Sequence, residues 1–198
     1  MHRITSVLKK FDPANPLNSG KVLLGLNIFS MVAAALSNTF AIAIDKNTST
    51  EDKQFLIPAG LLTGVANIGT YFLITDKLIK KFKNNADTYV KTMDEAELTQ
   101  NAANYAKKSI EKAQKGFLGT NLFKKSNEYI STMKETLFKN GEVTAAAKDL
   151  YKDHFKGGAG VLGALTGVAI SCGILTPIIR DVSAYFVQKR MEDKNPSL

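Results

Sequence analysis

Three long stretches of the chain, residues 22–44, 55–75 and 157–179, contain no Asp, Glu, Lys or Arg. An α-helix rises about 1.5 Å per residue, so roughly 20 apolar residues cross a hydrocarbon layer about 30 Å thick. Each stretch reaches that length. A helix of a soluble protein normally keeps one polar face toward water, whereas these stretches are apolar all round. The pattern therefore predicts three membrane-spanning helices.

A different pattern fills residues 84–156, where apolar residues recur every three or four positions between charged ones. Three such runs begin near Leu98, Leu122 and Val143, and this spacing is typical of amphipathic helices. Asn140–Gly141 is interpreted as the end of the second helix. Thr92 and Glu95 have the spacing of a capping box at the start of the first. These residues predict a helical domain outside the membrane.

The predicted fold class is therefore all-α: an integral membrane protein with about three transmembrane helices and a soluble helical domain between the second and third. The predicted segments are a basic amphipathic helix and hinge at 1–20, a transmembrane hairpin at 21–83, a cytoplasmic domain at 84–156, a third span with an amphipathic extension at 157–190, and a polar tail at 191–198.

Two structural alternatives stay open at this stage. Pro177 lies near the end of the third stretch, so that stretch could be re-entrant or tilted instead of a full span. The whole chain could also be a soluble all-α protein that buries a hydrophobic hairpin. A chain of 198 residues has little amphipathic sequence with which to cover three apolar helices, so the membrane interpretation is favoured.

Charge gives an orientation to these helices. The chain carries a net charge of +8, yet the loop 45–54 between the first two stretches is net acidic. By the positive-inside rule the N-terminus faces the cytoplasm and the loop 45–54 faces the other side. Two basic groups are predicted to lie on the cytoplasmic membrane surface, where anionic lipid headgroups attract them. They are Arg3, Lys9 and Lys10 in the N-terminal helix, and Lys77, Lys80, Lys81 and Lys83 after the second stretch.

Each apolar stretch has one stripe of small or polar residues at steps of three or four, which places them on one face of a helix. The stripes contain Asn27, Ser30, Ala34 and Asn38, then Gly60, Gly64 and Asn67, then Gly163, Gly167 and Ser171. Such faces let transmembrane helices approach closely and hydrogen-bond. Helix packing is the favoured interpretation. The alternative is that the asparagines line a pore.

The sequence offers little chemistry. The single cysteine, Cys172, lies inside the third stretch, and the two histidines, His2 and His154, lie far apart in sequence. No catalytic or phosphate-binding motif is present. The chain is therefore predicted not to be an enzyme and to hold no cofactor or metal. Acids are interspersed among the lysines of residues 76–156, which argues against a nucleic-acid partner.

Two functional hypotheses follow from these patterns. The first is a small oligomerising membrane protein that acts as a scaffold or assembly component, with the lipid bilayer and either further copies of itself or a membrane complex as partners. The second is a pore-forming or membrane-permeabilising protein of the holin or toxin kind, with the asparagine stripes facing a lumen. Ion flux through liposomes would separate the two.

Overall fold

The structure, a computed structural model, describes residues 16–115 and 125–194. The chain is all-α and about 90% helical. Its elements are a short 3₁₀ helix Pro16–Asn18, α1 Ser19–Ile44, α2 Thr50–Thr92, α3 Glu95–Lys115, α4 Asn127–Leu137, β1 Phe138–Lys139, β2 Glu142–Val143, α5 Ala145–Ile170, a π-helical segment Ser171–Leu175, and α6 Thr176–Lys194. The predicted basic helix at the N-terminus lies outside the described residues.

Three helical segments are long and apolar enough to cross a membrane: Ser19–Ile44, Thr50–Thr92, and the continuous run Ala145–Asp193 formed by α5, the π-helical segment and α6. The prediction of three helices with spanning length and composition is confirmed. The second and third are much longer than the uncharged stretches that revealed them. The turns of the second segment after Thr75 and those of the third before Gly157 belong to the helical region between these two apolar parts, whereas residues 180–193 follow the third apolar part.

The chain divides into two compact units. One contains the residues up to Phe82 together with those from Gly160 onward, and the other is Lys83–Ala159. We call them the apolar unit and the middle unit. The sequence pattern predicts limits at residues 84 and 156 for the intervening domain.

A short polar turn joins α1 to α2. Asp45 ends α1, and its carboxylate accepts hydrogen bonds from the backbone N–H of Asn47 at 2.9 Å and the hydroxyl of Thr48 at 2.6 Å. These two bonds, that of Thr48 first, lower the pKa of Asp45. Ser49 accepts from the backbone N–H of Asp52 at 3.0 Å and so caps α2. Because α2 starts at Thr50, the connection is shorter than the loop predicted from the charges.

The third apolar segment stays helical past Pro177. Proline has no N–H and its ring clashes with the carbonyl four residues earlier, so an α-helix at this point would kink or break. Here the preceding turn widens into the π-helical segment. The backbone N–H of Thr176 bonds the carbonyl of Ser171, and the Thr176 hydroxyl donates to that carbonyl at 3.0 Å. The helix therefore continues without turning back, unlike a re-entrant segment.

The middle unit has its own apolar core. Leu98, Ala102, Ala106 and Ile110 are buried along one face of α3, at the four-residue spacing expected of an amphipathic helix. Ala106 and Ile110 pack with residues from α4 and α5, namely Ile130, Leu137 and Ala147. The stripe predicted from Leu98 onward is thus buried, whereas in the run predicted from Leu122, Ile130 is buried and Tyr129 is exposed.

Aromatic rings add a second contact region within the middle unit. Tyr89 stacks on Phe155 with ring centroids 5.7 Å apart, and the His154 ring stacks on Tyr105 at 4.4 Å. Desolvation, followed by the nearby charge of Lys112, lowers the pKa of His154. The His154 ring therefore packs against Tyr105 in this region.

The interpretation of Asn140–Gly141 as a helix end is wrong. α4 ends at Leu137, and a two-residue hairpin follows in which Phe138 pairs with Val143 and Lys139 with Glu142. Asn140 and Gly141 form its turn, with φ values of 53° and 84°. Asn-Gly readily adopts this left-handed pair of conformations, which a two-residue hairpin turn needs.

The predicted capping box is also wrong. Thr92 is the last residue of α2, and its hydroxyl donates to the carbonyl of Tyr89 at 3.0 Å. Glu95 instead forms an ion pair with Lys148. That pair holds the pKa of Glu95 below its ordinary value. The first turn of α3 is closed by the Asp94 carbonyl, which accepts the backbone N–H of Leu98 at 2.8 Å.

The ion pairs of Asp87 should make the stability of the middle unit depend on pH in the acidic range. Its carboxylate pairs with Lys156 and with Lys91, the latter at 2.8 Å, and these bonds lower its pKa from 3.8 to about 2. Its stabilising effect is therefore present above pH 4 and is lost as the pH falls toward 2. We expect the melting temperature of the full-length chain to fall less between pH 5 and pH 2 in Asp87→Asn than in the wild type. The melting temperature is measured by circular dichroism at 222 nm.

A matched control for this prediction is Asp149→Asn. The Asp149 carboxylate lies 3.8 Å from Lys152 and is 74% exposed, so its ion pair is loose and screened by water. This variant should follow the wild-type acid profile. An Asp87→Asn profile parallel to that of the wild type would contradict the assignment.

Candidate membrane-embedded surface and groove

The exterior of the apolar unit is covered by large apolar side chains. Phe29 is 74% exposed, Val65 70% and Phe40 66%. No residue in the most apolar part of α1 is buried. Others on this exterior are Leu26, Leu36, Ile44, Leu61, Leu62, Phe72, Leu73, Leu162, Leu165, Ile174 and Ile178. Soluble monomers rarely expose contiguous apolar patches of more than a few hundred Å².

The interior of the same unit is small and partly polar. Its buried apolar cluster consists of Leu24, Tyr71, Ile79 and Ala164. Thr75, Ser171 and Ser183 are also buried, at 0%, 3% and 4% exposure. A protein folded in water places large apolar residues inside and polar residues outside. The apolar unit instead exposes many large apolar side chains, and its small interior mixes a few apolar residues with buried hydroxyl groups.

Glycines allow the helices of this unit to touch through their backbones. A Cβ added at Gly163 would lie 2.9 Å from the backbone nitrogen of Ile79, and one at Gly20 would lie 2.5 Å from the carbonyl oxygen of Gly160. Gly167 faces the side chain of Thr75 with no room for a methyl group. α1 and α2 therefore contact α5 at distances that only glycine permits.

The predicted stripe of α1 separates into different environments. The side-chain amide of Asn27 donates to the hydroxyl of Tyr71 on α2 at 2.9 Å. Ser30, in contrast, is exposed, as are Ala34 and Asn38 further along the helix. The Asn27–Tyr71 bond joins two helices where an amide without a partner would be costly in lipid. Tyr71, an aromatic residue outside any predicted stripe, was missed by the sequence analysis.

A groove of about 840 Å³ opens between α1, the first half of α2, and α6. Five residues of the predicted stripes line it: Ala34, Asn38, Gly60, Gly64 and Asn67. A Cβ at Gly64 would lie 3.0 Å from that of Ala35, so α1 and α2 are close there. Gly60 has no atom within 4 Å of such a Cβ, because it faces the open groove. Gly163, Gly167 and Ser171 do not line this groove.

Among the polar groups that line the groove, Asn67 and the pair Arg180 and Asp181 differ in burial. The side-chain oxygen of Asn67 is buried and has no hydrogen-bond partner within the described structure. The Arg180 guanidinium lies 3.7 Å from the Asp181 carboxylate, and the two side chains are 74% and 77% exposed. Arg180 and Asp181 lie outside the stripes that the sequence predicts. The available signal was their position directly after the third uncharged stretch.

The predicted membrane-surface lysines are divided between the two units. Lys77, Lys80 and Lys81 are exposed near the end of the first chain segment of the apolar unit, which stops at Phe82. Lys80 pairs there with Asp76 at 2.5 Å. Lys83 is the first residue of the middle unit. Arg3, Lys9 and Lys10 fall outside the described residues.

The chemical inventory of residues 16–115 and 125–194 is short. No three His, Cys, Asp or Glu side chains in these ranges come together as a metal site would require. Cys172 is a free thiol that lines the groove. The arrangement is suited to packing in an apolar solvent and to holding an elongated apolar molecule beside a charged pair.

Comparison of the chain with protein-family models, with curated proteins and with solved structures gives no match. The functional inferences below accordingly depend on the residues and contacts of this chain.

Proposed function

We propose that the protein is an integral membrane protein with three spans, acting as a small scaffold or assembly component. The observation that carries this proposal is the exposed apolar exterior of the apolar unit, around a small interior in which glycine contacts and buried serine and threonine lie beside Leu24, Tyr71 and Ile79. Each Å² of apolar surface in water costs about 25 cal/mol, so burial of this exterior in lipid strongly stabilises the chain. Close small-residue contacts then hold the helices together.

Charge supports one orientation. Lys77, Lys80 and Lys81 are exposed just after the apolar part of α2, while the acidic first turn before that part contains Glu51 and Asp52. The positive-inside rule places the lysines in the cytoplasm and the turn after α1 on the opposite side. The middle unit is then cytoplasmic, and α6 leaves the membrane on the side of that turn.

Two observations favour a scaffold over a pore. Asn27, one of the three asparagines that would line a lumen, is bonded to Tyr71 within the apolar unit. The uncharged stretches carry no Asp, Glu, Lys, Arg or His that would mark an ion pathway. The middle unit is a separate compact helical body with a charged surface, which suits it to binding a cytoplasmic partner.

Carbonate extraction tests the membrane location, and dye release from proteoliposomes tests whether the same protein forms a pore. We expect the full-length chain to stay with membranes in alkaline carbonate, and proteoliposomes containing it to remain impermeable to a small dye. Recovery of a monomer in aqueous buffer without detergent would contradict the membrane location. If the wild type releases dye and the triple variant Asn27→Leu, Asn38→Leu, Asn67→Leu does not, the protein is a pore and not a scaffold.

A further inference from the structure

We propose that the groove of the apolar unit binds one zwitterionic phospholipid, with an acyl chain between α1 and α2 and the headgroup on Arg180 and Asp181. This site rests on the membrane location proposed above and goes beyond it by naming a ligand. Its support comes from the shape of the groove, the position of its charged end, and the sign of the surrounding charges.

The shape suits an elongated apolar guest. The groove volume of about 840 Å³ lies in the range of small-molecule sites. Its walls combine small residues with large apolar ones, among them Met31, Ile42 and Phe55. Gly60 leaves the floor open. If the groove were empty, the side chains that line it would lack dispersion contacts on that side. In a bilayer, the surrounding acyl chains are the molecules available to fill it.

The charged end lies where a headgroup would be. Cys172 and Arg180 both line the groove and are eight residues apart, which corresponds to about 12 Å along the helix. Arg180 follows the last uncharged residue of the third stretch, so it lies at the boundary of the hydrocarbon layer. A lipid whose chain lies beside Cys172 therefore places its phosphate near Arg180.

The local charges select the headgroup. Arg180 and Asp181 are a basic and an acidic group side by side, and both remain exposed enough to bind a further partner. A phosphate can accept from the guanidinium while an ammonium group of the same headgroup donates to the carboxylate. An anionic headgroup without an ammonium would instead be repelled by Asp181. A zwitterionic phospholipid such as phosphatidylethanolamine matches both charges.

Two glycines of α2 provide a matched test of the groove. Gly60 lines it and Gly69 does not, yet a Cβ at either position meets no atom within 4 Å. Leucine at each position should therefore be tolerated by the fold. The full-length protein is purified from vesicles of equal parts phosphatidylethanolamine and phosphatidylglycerol, and the retained lipid is counted by native mass spectrometry.

We expect one phosphatidylethanolamine per chain for the wild type and for Gly69→Leu, and at least a tenfold lower occupancy for Gly60→Leu. Equal retention by the two variants would overturn the site. A lipid-free dimer that Gly60→Leu converts to a monomer would also overturn it, because a helix of a second copy would then be the occupant. Resistance to carbonate is measured on the same samples, so failure of the lipid site is separable from failure of membrane insertion.

Variants of the charged pair test the headgroup assignment. Arg180→Gln should lower the phosphatidylethanolamine occupancy severalfold, whereas Arg190→Gln, on the same helix but outside the groove, should leave it unchanged. Asp181→Asn removes the repulsion of anionic lipid and should shift the retained lipid toward phosphatidylglycerol. Retention of phosphatidylglycerol by the wild type would contradict the zwitterionic preference.

Discussion

Replacing Gly163 with leucine should disrupt the apolar unit. A Cβ at this position would lie 2.9 Å from the backbone nitrogen and Cα of Ile79 and from the carbonyl oxygen of Leu78. These are backbone atoms of α2, so relief requires the two helices to separate instead of a side chain rotating. Overpacking at rigid contacts costs about 1–3 kcal/mol and occasionally more. We expect a loss at or above the upper end of this range.

The measurement is the midpoint of denaturation of the full-length protein in detergent, compared with Gly69→Leu. Both variants replace a helical glycine of the apolar unit with the same side chain, and both gain helix propensity of up to about 1 kcal/mol. Gly69 faces open space, so its variant should be as stable as the wild type or slightly more stable. Similar midpoints for the two variants would show that α2 and α5 do not touch at Gly163.

The contrast between Gly167 and Gly60 shows what the sequence could not reveal. Four-residue spacing placed Gly163 and Gly167 on one helix face, because that periodicity is local. The partner of the face is a tertiary property. Gly167 packs on Thr75 of α2, whereas Gly60, chosen by the same spacing rule, faces the groove. A stripe of small residues therefore predicts where close approach is allowed, not where it occurs.

The predictable parts of the fold are those coded by local pattern. Uncharged length identified the three apolar helices, and amphipathic spacing identified α3, α4 and the first half of α5. The hairpin at Phe138–Val143 was missed because Asn-Gly ends helices and turns hairpins with the same left-handed conformation. The length of α2 was missed because its amphipathic second half follows the apolar first half without a helix-breaking residue.

The polar groups of the groove illustrate a further limit. Asn38 and Asn67 were recognised as candidates because an amide in an apolar stretch is unusual. Arg180 and Asp181 lie just beyond the uncharged residues, where a charged pair is ordinary, and only the fold brings them to the same groove as Gly60. The widened turn before Pro177 likewise depends on how Thr176 bonds Ser171, which no sequence pattern specified.

The second large effect is expected for Leu36→Arg, a change on the exterior of α1. Leu36 is 60% exposed and does not line the groove. On the surface of a soluble protein, such a substitution changes the free energy of unfolding by less than about 0.5 kcal/mol. In the middle of a membrane span, an arginine costs about 2.5–3.5 kcal/mol of insertion free energy. The substitution is therefore expected to have a large effect if Leu36 lies in a bilayer and almost none if it lies in water.

We expect Leu36→Arg to lower the carbonate-resistant fraction of the protein severalfold when the chain is synthesised in the presence of membranes. Gln54→Arg is the control, since Gln54 is exposed near the start of α2 and outside the groove, and its variant should insert like the wild type. Unchanged membrane retention of Leu36→Arg would place this face of α1 in water. The exposed apolar exterior would then have to be covered by protein, and the soluble interpretation with a buried hydrophobic hairpin would account for it better than a bilayer.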